Sequence, residues 1–102
     1  MSQYKFTGES QQDLIQIRRF TLENWSSERS IHYLSDLRKT LQLLSEMPLM
    51  GKNCLDDLEK NVYRFPFGSH IIYYLTLSEK EIVIVAILHQ SMVPGKPLAK
   101  RL

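Results

Sequence analysis

The chain has 102 residues, 43% of them apolar, and a formal charge of +2 with an isoelectric point near 8.8. This supports one modest core, excludes a second domain, and lacks the dense Lys/Arg stripe of a dedicated nucleic-acid binder. Cys54 is the only cysteine, so an internal disulfide is impossible, and the longest apolar run, Ile82 to Leu88, is far shorter than the roughly 20 residues of a membrane-spanning helix.

Met1-Ser2-Gln3-Tyr4-Lys5 lacks the basic and apolar regions of a signal peptide, so a cytoplasmic protein without a membrane contact is expected. Tyr4 and Phe6 alternate with polar neighbours, which predicts a short first strand closed by Gly8. Ser10 followed by Asp13 reads as a helix cap, placing the first helix from about Gln11. Leu14, Ile17, Thr21 and Trp25, widened by Phe20, then form its apolar stripe. Ser26-Ser27 offers a second cap, after which Ile31, Leu34, Leu37, Leu41 and Leu44 repeat at helical spacing. Two amphipathic helices joined so closely form a hairpin whose shared face needs a sheet to cover it.

Pro48 ends the second helix and Gly51 permits a sharp change of direction, leaving residues 48–61 as an irregular, charged connection. Tyr63, Phe65 and Phe67 share one face of the next strand, and Pro66 marks it as an edge or a bulge. Gly68-Ser69 and Ser78-Glu79-Lys80 read as tight turns that make the last three strands antiparallel. Strict alternation puts Ile82, Ile84, Ala86 and Leu88 on one face and Val83, Val85 and Ile87 on the other, as in a central strand; a partner is then expected to cover the face opposite the helices. Pro94, Gly95 and Pro97 with Lys96, Lys100 and Arg101 suggest that 90–102 is a flexible basic tail on a single domain. The fold expected is α+β: a strand, a helical hairpin and three antiparallel strands, as a four-stranded sheet covered by two helices.

Several separated motifs in this order resemble those of ParE-type toxins in the RelE/ParE superfamily. They are Asp13-Leu14 with Ile17, Phe20-Thr21 and Trp25; Tyr33-Leu34 with Leu37; Pro48-Leu49-Met50-Gly51; Arg64-x-Phe-Pro-x-Gly-x-His70 with Tyr73-Tyr74; and Ile87-Leu88-His89-Gln90-Ser91-Met92. The resemblance implies the toxin of a type II toxin–antitoxin pair, held in a hetero-oligomer by a ParD-like antitoxin. It also implies DNA gyrase as the target, whereas RelE-branch relatives cut messenger RNA on the ribosome.

Metal-free RNA cleavage needs a base for the 2′-hydroxyl, an acid for the leaving oxygen and cations for the charged phosphorane. Arg64, His70, Tyr74 and His89 are the candidates. No Lys or Arg lies between Phe65 and Glu79, and no aromatic follows Tyr74, which argues against a nuclease and for action by binding. The RelE-like interferase is the second reading. Arg64, which projects opposite Phe65, is the leading partner-binding candidate, joined by His89, Met92, Lys96, Lys100 and Arg101. His70 has no second His, Cys or carboxylate at a recognisable metal spacing, and no metal or cofactor is expected.

Overall fold

The alternating Tyr4 and Phe6 do form a strand: in the computed structural model, which describes residues 2–54, 62–91 and Arg101, β1 spans Gln3–Phe6. Helix α1 (Gly8–Asn24) begins earlier than the Ser10 signal suggests. Thr7 is the cap: its side-chain oxygen accepts from Ser10 N–H at 3.1 Å, and the Ser10 hydroxyl donates back to Thr7 O at 2.9 Å. Ser10 is therefore the reciprocating residue of the first turn, and Gly8 is helical instead of closing the strand.

Ser26 caps α2 (Ser27–Glu46) by accepting from Arg29 N–H, as its position predicts. The helices approach closely where side chains are small, with Thr21 Oγ1 2.6 Å from Ser30 Oγ in a buried contact. Leu37, Leu41 and Leu44 are buried, each contributing about 1.5–3 kcal/mol. Ile31 departs from its expected place in that stripe: it is 67% exposed, because the close Thr21–Ser30 contact turns the start of α2 so that Ser30 and not Ile31 faces α1.

A short 3-10 helix (Pro48–Met50) follows, then β2 (Lys52–Asn53), β3 (Tyr63–Phe67), β4 (His70–Ser78) and β5 (Glu81–His89). The sheet order is β1-β5-β4-β3-β2, with β1 parallel to β5 and the other neighbours antiparallel. The α+β architecture holds with one strand more than the four expected. Lys52 and Asn53, read as part of an irregular connection, pair with Arg64 and Tyr63.

Strict alternation fails in β5, and its failure shapes the molecule. Tyr73 pairs with Ala86 but Tyr74 pairs with Ile84, so Val85 is an extra, bulged residue. Past the bulge each side chain changes face. Ile82, Ile84 and Ile87 accordingly share the helix-facing core with Ile17, Leu37 and Tyr74, while Val85, Ala86 and Leu88 join Val62 and Tyr73 opposite. Those five opposite-face residues are already buried within the chain, which corrects the expectation that a partner must cover them. Among the described residues no helix is long and apolar enough to cross a membrane.

Candidate functional site

The bulge at Val85 brings His89 to the helix-facing side, opposite His70 in the β4–β5 register. The two imidazoles meet edge to face with centroids 5.4 Å apart, and Phe20 from α1 packs against both. Around them lies a hollow of about 450 Å³ whose lining includes Asp13, Gln16, Phe20, Ser91 and Arg101.

His70 is 5% exposed. Burial, and secondarily the charge of His89, lowers its pKa from the usual 6.5 to about 4, so the ring is neutral. Its Nδ1 lies 2.8 Å from the Tyr33 hydroxyl, which also accepts from Ser69 N–H at 3.1 Å and reaches Phe67 O at 3.2 Å. One tyrosine from α2 thus fastens the β3–β4 turn to the helical layer. Burial raises the Tyr33 pKa, opposed by the hydrogen bond from Ser69. Gly68 in that turn has φ +54°, and its α-carbon passes so close to the Tyr33 ring that a β-carbon would sit 2.6 Å from Cε1.

His89 is half-buried. The Ser91 N–H donates to its Nδ1 at 3.1 Å, which makes that nitrogen an acceptor and puts the proton of the neutral ring on Nε2. The Ser91 hydroxyl lies 2.7 Å from the same nitrogen.

The other wall is built on Asp13, which sequence reasoning assigned to the helix cap. It is buried, accepts from Ile87 N–H at 3.0 Å, and is gripped by both terminal nitrogens of Arg101 at 2.6 and 3.1 Å. Arg101 also donates to Val85 O and pairs with Glu9. These bonds cover an edge of β5 that β1 leaves open, because β1 pairing stops at Phe6 opposite Ile84. The Asp13 hydrogen bond, then burial opposing it, and the Asp13 and Glu9 charges combine to raise the Arg101 pKa. One signal was present in the sequence: Asp13 is one turn before Ile17 on the apolar face, where a carboxylate needs a partner.

The four nuclease candidates divide. His70 and His89 come together, but Arg64 projects from the opposite face of β3, beside its cross-strand neighbours Tyr73 and Lys52. The Tyr74 hydroxyl is sealed in the core, donating to Pro48 O at 2.8 Å and accepting from Gly51 N–H at 3.0 Å. Of the partner-binding candidates, Arg101 is engaged within the chain, while Met92, Lys96 and Lys100 lie outside the described residues. Among the described residues no group of three metal-ligating side chains occurs.

The sequence model of the family described as ParE toxin of type II toxin-antitoxin system, parDE, matches residues 4–94. The chain belongs to the ParE toxin family. It is also similar to Toxin ParE1 of Caulobacter vibrioides (strain ATCC 19089 / CIP 103742 / CB 15), with 29% identity over 92 residues, 90% of this chain and 93% of the relative. A ParE-family toxin has an antitoxin for a partner. In this chain Pro48 O accepts from the Tyr74 hydroxyl and Gly51 N–H donates to it, Gly68 admits Tyr33, and Asp13 secures β5.

Proposed function

We propose that this ParE-family toxin acts by binding DNA gyrase and is neutralised by a ParD-like antitoxin, with no bond-breaking chemistry of its own. The observation that carries this reading is the separation of the candidate catalytic groups. A phosphorane formed beside His70 and His89 would need a cation within reach, yet Arg101 is committed to Asp13 and Arg64 projects from the other face. Tyr74 is too enclosed to exchange a proton with RNA. An antitoxin could engage the apolar groove of about 310 Å³ among Tyr4, Phe6, Leu14, Ile15 and Leu34, where Arg18 and Arg38 would favour acidic side chains.

The His70–His89 pair, which lines the same hollow as Asp13 and Arg101, is the feature of the described residues that favours a RelE-like messenger-RNA interferase. Inducing the chain in a bacterium while following plasmid supercoiling, cleaved gyrase–DNA complexes and transcript decay separates the two readings. Accumulating cleaved complexes with normal transcript lifetimes are expected. Rapid transcript loss with normal supercoiling would reverse the assignment, and unchanged growth would leave the chain only an antitoxin partner.

A further inference from the structure

Lys52 and Arg64 are direct cross-strand partners in the β2–β3 pair, so their side chains leave the same face side by side. Like charges in that arrangement repel, and among the described residues neither has a carboxylate within ion-pair distance. A lysine on an edge strand is a common guard against unwanted strand pairing. That explains Lys52 but not Arg64, which lies on β3 between β2 and β4.

Next to the two cations is a hollow of about 500 Å³ lined by Met50, Phe65, Pro66 and Ile71. Pro66 has no N–H, and β2 offers only two residues, so this edge is a poor template for adding a strand. Recognition here has to proceed through side chains. We propose that Lys52, Arg64 and the adjoining apolar hollow form a docking site for an acidic, apolar peptide segment of a protein partner. The carboxylates would lie on the Lys52–Arg64 pair, with Arg64 able to grip one through two nitrogens, while an aliphatic neighbour fills the hollow.

A nucleic-acid backbone fits less well. Phosphates need a track of cations, whereas β3 beyond Arg64 and all of β4 contain no Lys or Arg, and the adjoining surface is mostly hydrocarbon. The site is separate from the imidazole pocket, since Arg64 and His70 occupy opposite faces of the sheet. It relies on the toxin–antitoxin reading only for the identity of the partner that carries the segment.

The test is a titration of the isotope-labelled chain, followed by NMR, with an acetylated hexapeptide of alternating glutamate and leucine. Its lysine–leucine counterpart and oligothymidylate serve as separate probes. Shifts centred on the Lys52, Arg64 and Ile71 amides are expected with the acidic peptide only, weakened at least about tenfold in K52E and in R64E and moderately in K52Q and R64Q. Circular dichroism identifies any variant that does not fold, and the neutral pair then decides. Equal binding by the variants, shifts elsewhere, or no binding of the acidic peptide would overturn the proposal. Oligothymidylate binding that is lost in the same variants would overturn it in favour of a phosphate-binding surface. Because the probe is synthetic, a failure to bind a ParD-like antitoxin in cells would count against the proposed function and not against this site.

Discussion

Arg101 meets Asp13 through two hydrogen bonds, Nη1 to Oδ2 at 2.6 Å and Nη2 to Oδ1 at 3.1 Å, across a sequence separation of 88 residues. The same carboxylate accepts from Ile87 N–H, and the same guanidinium donates to Val85 O. Together the two side chains stand in for the strand that β1 does not extend to supply. Removing either one leaves the other charge in a poorly solvated place.

The first prediction concerns that latch. Asp13→Ala removes the bidentate partner of the partly buried Arg101, which keeps Glu9, and the acceptor of the Ile87 N–H, so a loss of about 1–3 kcal/mol is expected, read as a shift in the urea midpoint. Asp13→Asn keeps an acceptor for Ile87 and should lose less. Equal losses for the two variants would show that the Ile87 bond contributes nothing.

The second concerns pH. The His70 pKa is about 4 when folded, against 6.5 for an unperturbed imidazole, so between those values the unfolded chain binds the proton more strongly. Stability therefore rises with pH through the window: the contribution is complete above about 6.5 and lost as pH falls through about 4, with an upper bound of about 3 kcal/mol. His70→Asn should flatten this part of the curve. His89→Gln, by removing the smaller, electrostatic cause, should raise the His70 titration midpoint seen by NMR. A midpoint that stays near 6.5 in the wild-type chain would contradict the burial of the ring.

Much of this architecture was legible in the amino-acid order, and the exceptions have identifiable causes. The Leu37, Leu41, Leu44 stripe is read correctly because a helix with one wet face leaves a period in its sequence. The bulge at Val85 is not, because β5 is apolar on both faces and a one-residue slip leaves no polar side chain on the wrong side. That slip decides where His89 points, so the imidazole pair was hidden with it. The Asp13–Arg101 pairing was hidden by distance along the chain, and Thr7 by a neighbouring Ser10 that carries an equally good capping hydroxyl.

A third prediction tests Gly68 against Tyr33. Gly68→Ala is expected to cost about 1–3 kcal/mol from its left-handed backbone, and more from the ring that lies where the new methyl group must go. Tyr33→Leu loses the hydroxyl that Ser69 and His70 share, at about 1–3 kcal/mol, but opens space. The double variant should be more stable than the sum of the single losses implies, by more than about 0.5 kcal/mol in a denaturation cycle. Strict additivity would mean that only the backbone angle matters at Gly68.

The last prediction separates two reasons for a glycine. Gly51 has an ordinary extended backbone, φ −74°, so conformational freedom does not require it. Close approach does: a β-carbon there would lie 2.5 Å from the Tyr74 hydroxyl and 2.8 Å from Arg64 O. Tyr74→Phe strands Pro48 O and Gly51 N–H inside the protein and should cost about 1–3 kcal/mol. Gly51→Ala should destabilise by a similar amount, through displacement of that hydroxyl and of the β2–β3 pairing near Arg64. Because Arg64 O is backbone and cannot swing aside, Gly51→Ala in the Tyr74→Phe background should recover only part of its cost. Full recovery would assign the whole constraint to the hydroxyl. Recovery in part, together with faster hydrogen exchange at the Lys52 and Arg64 amides, would locate the remainder in the strand pair that Gly51 has to pass.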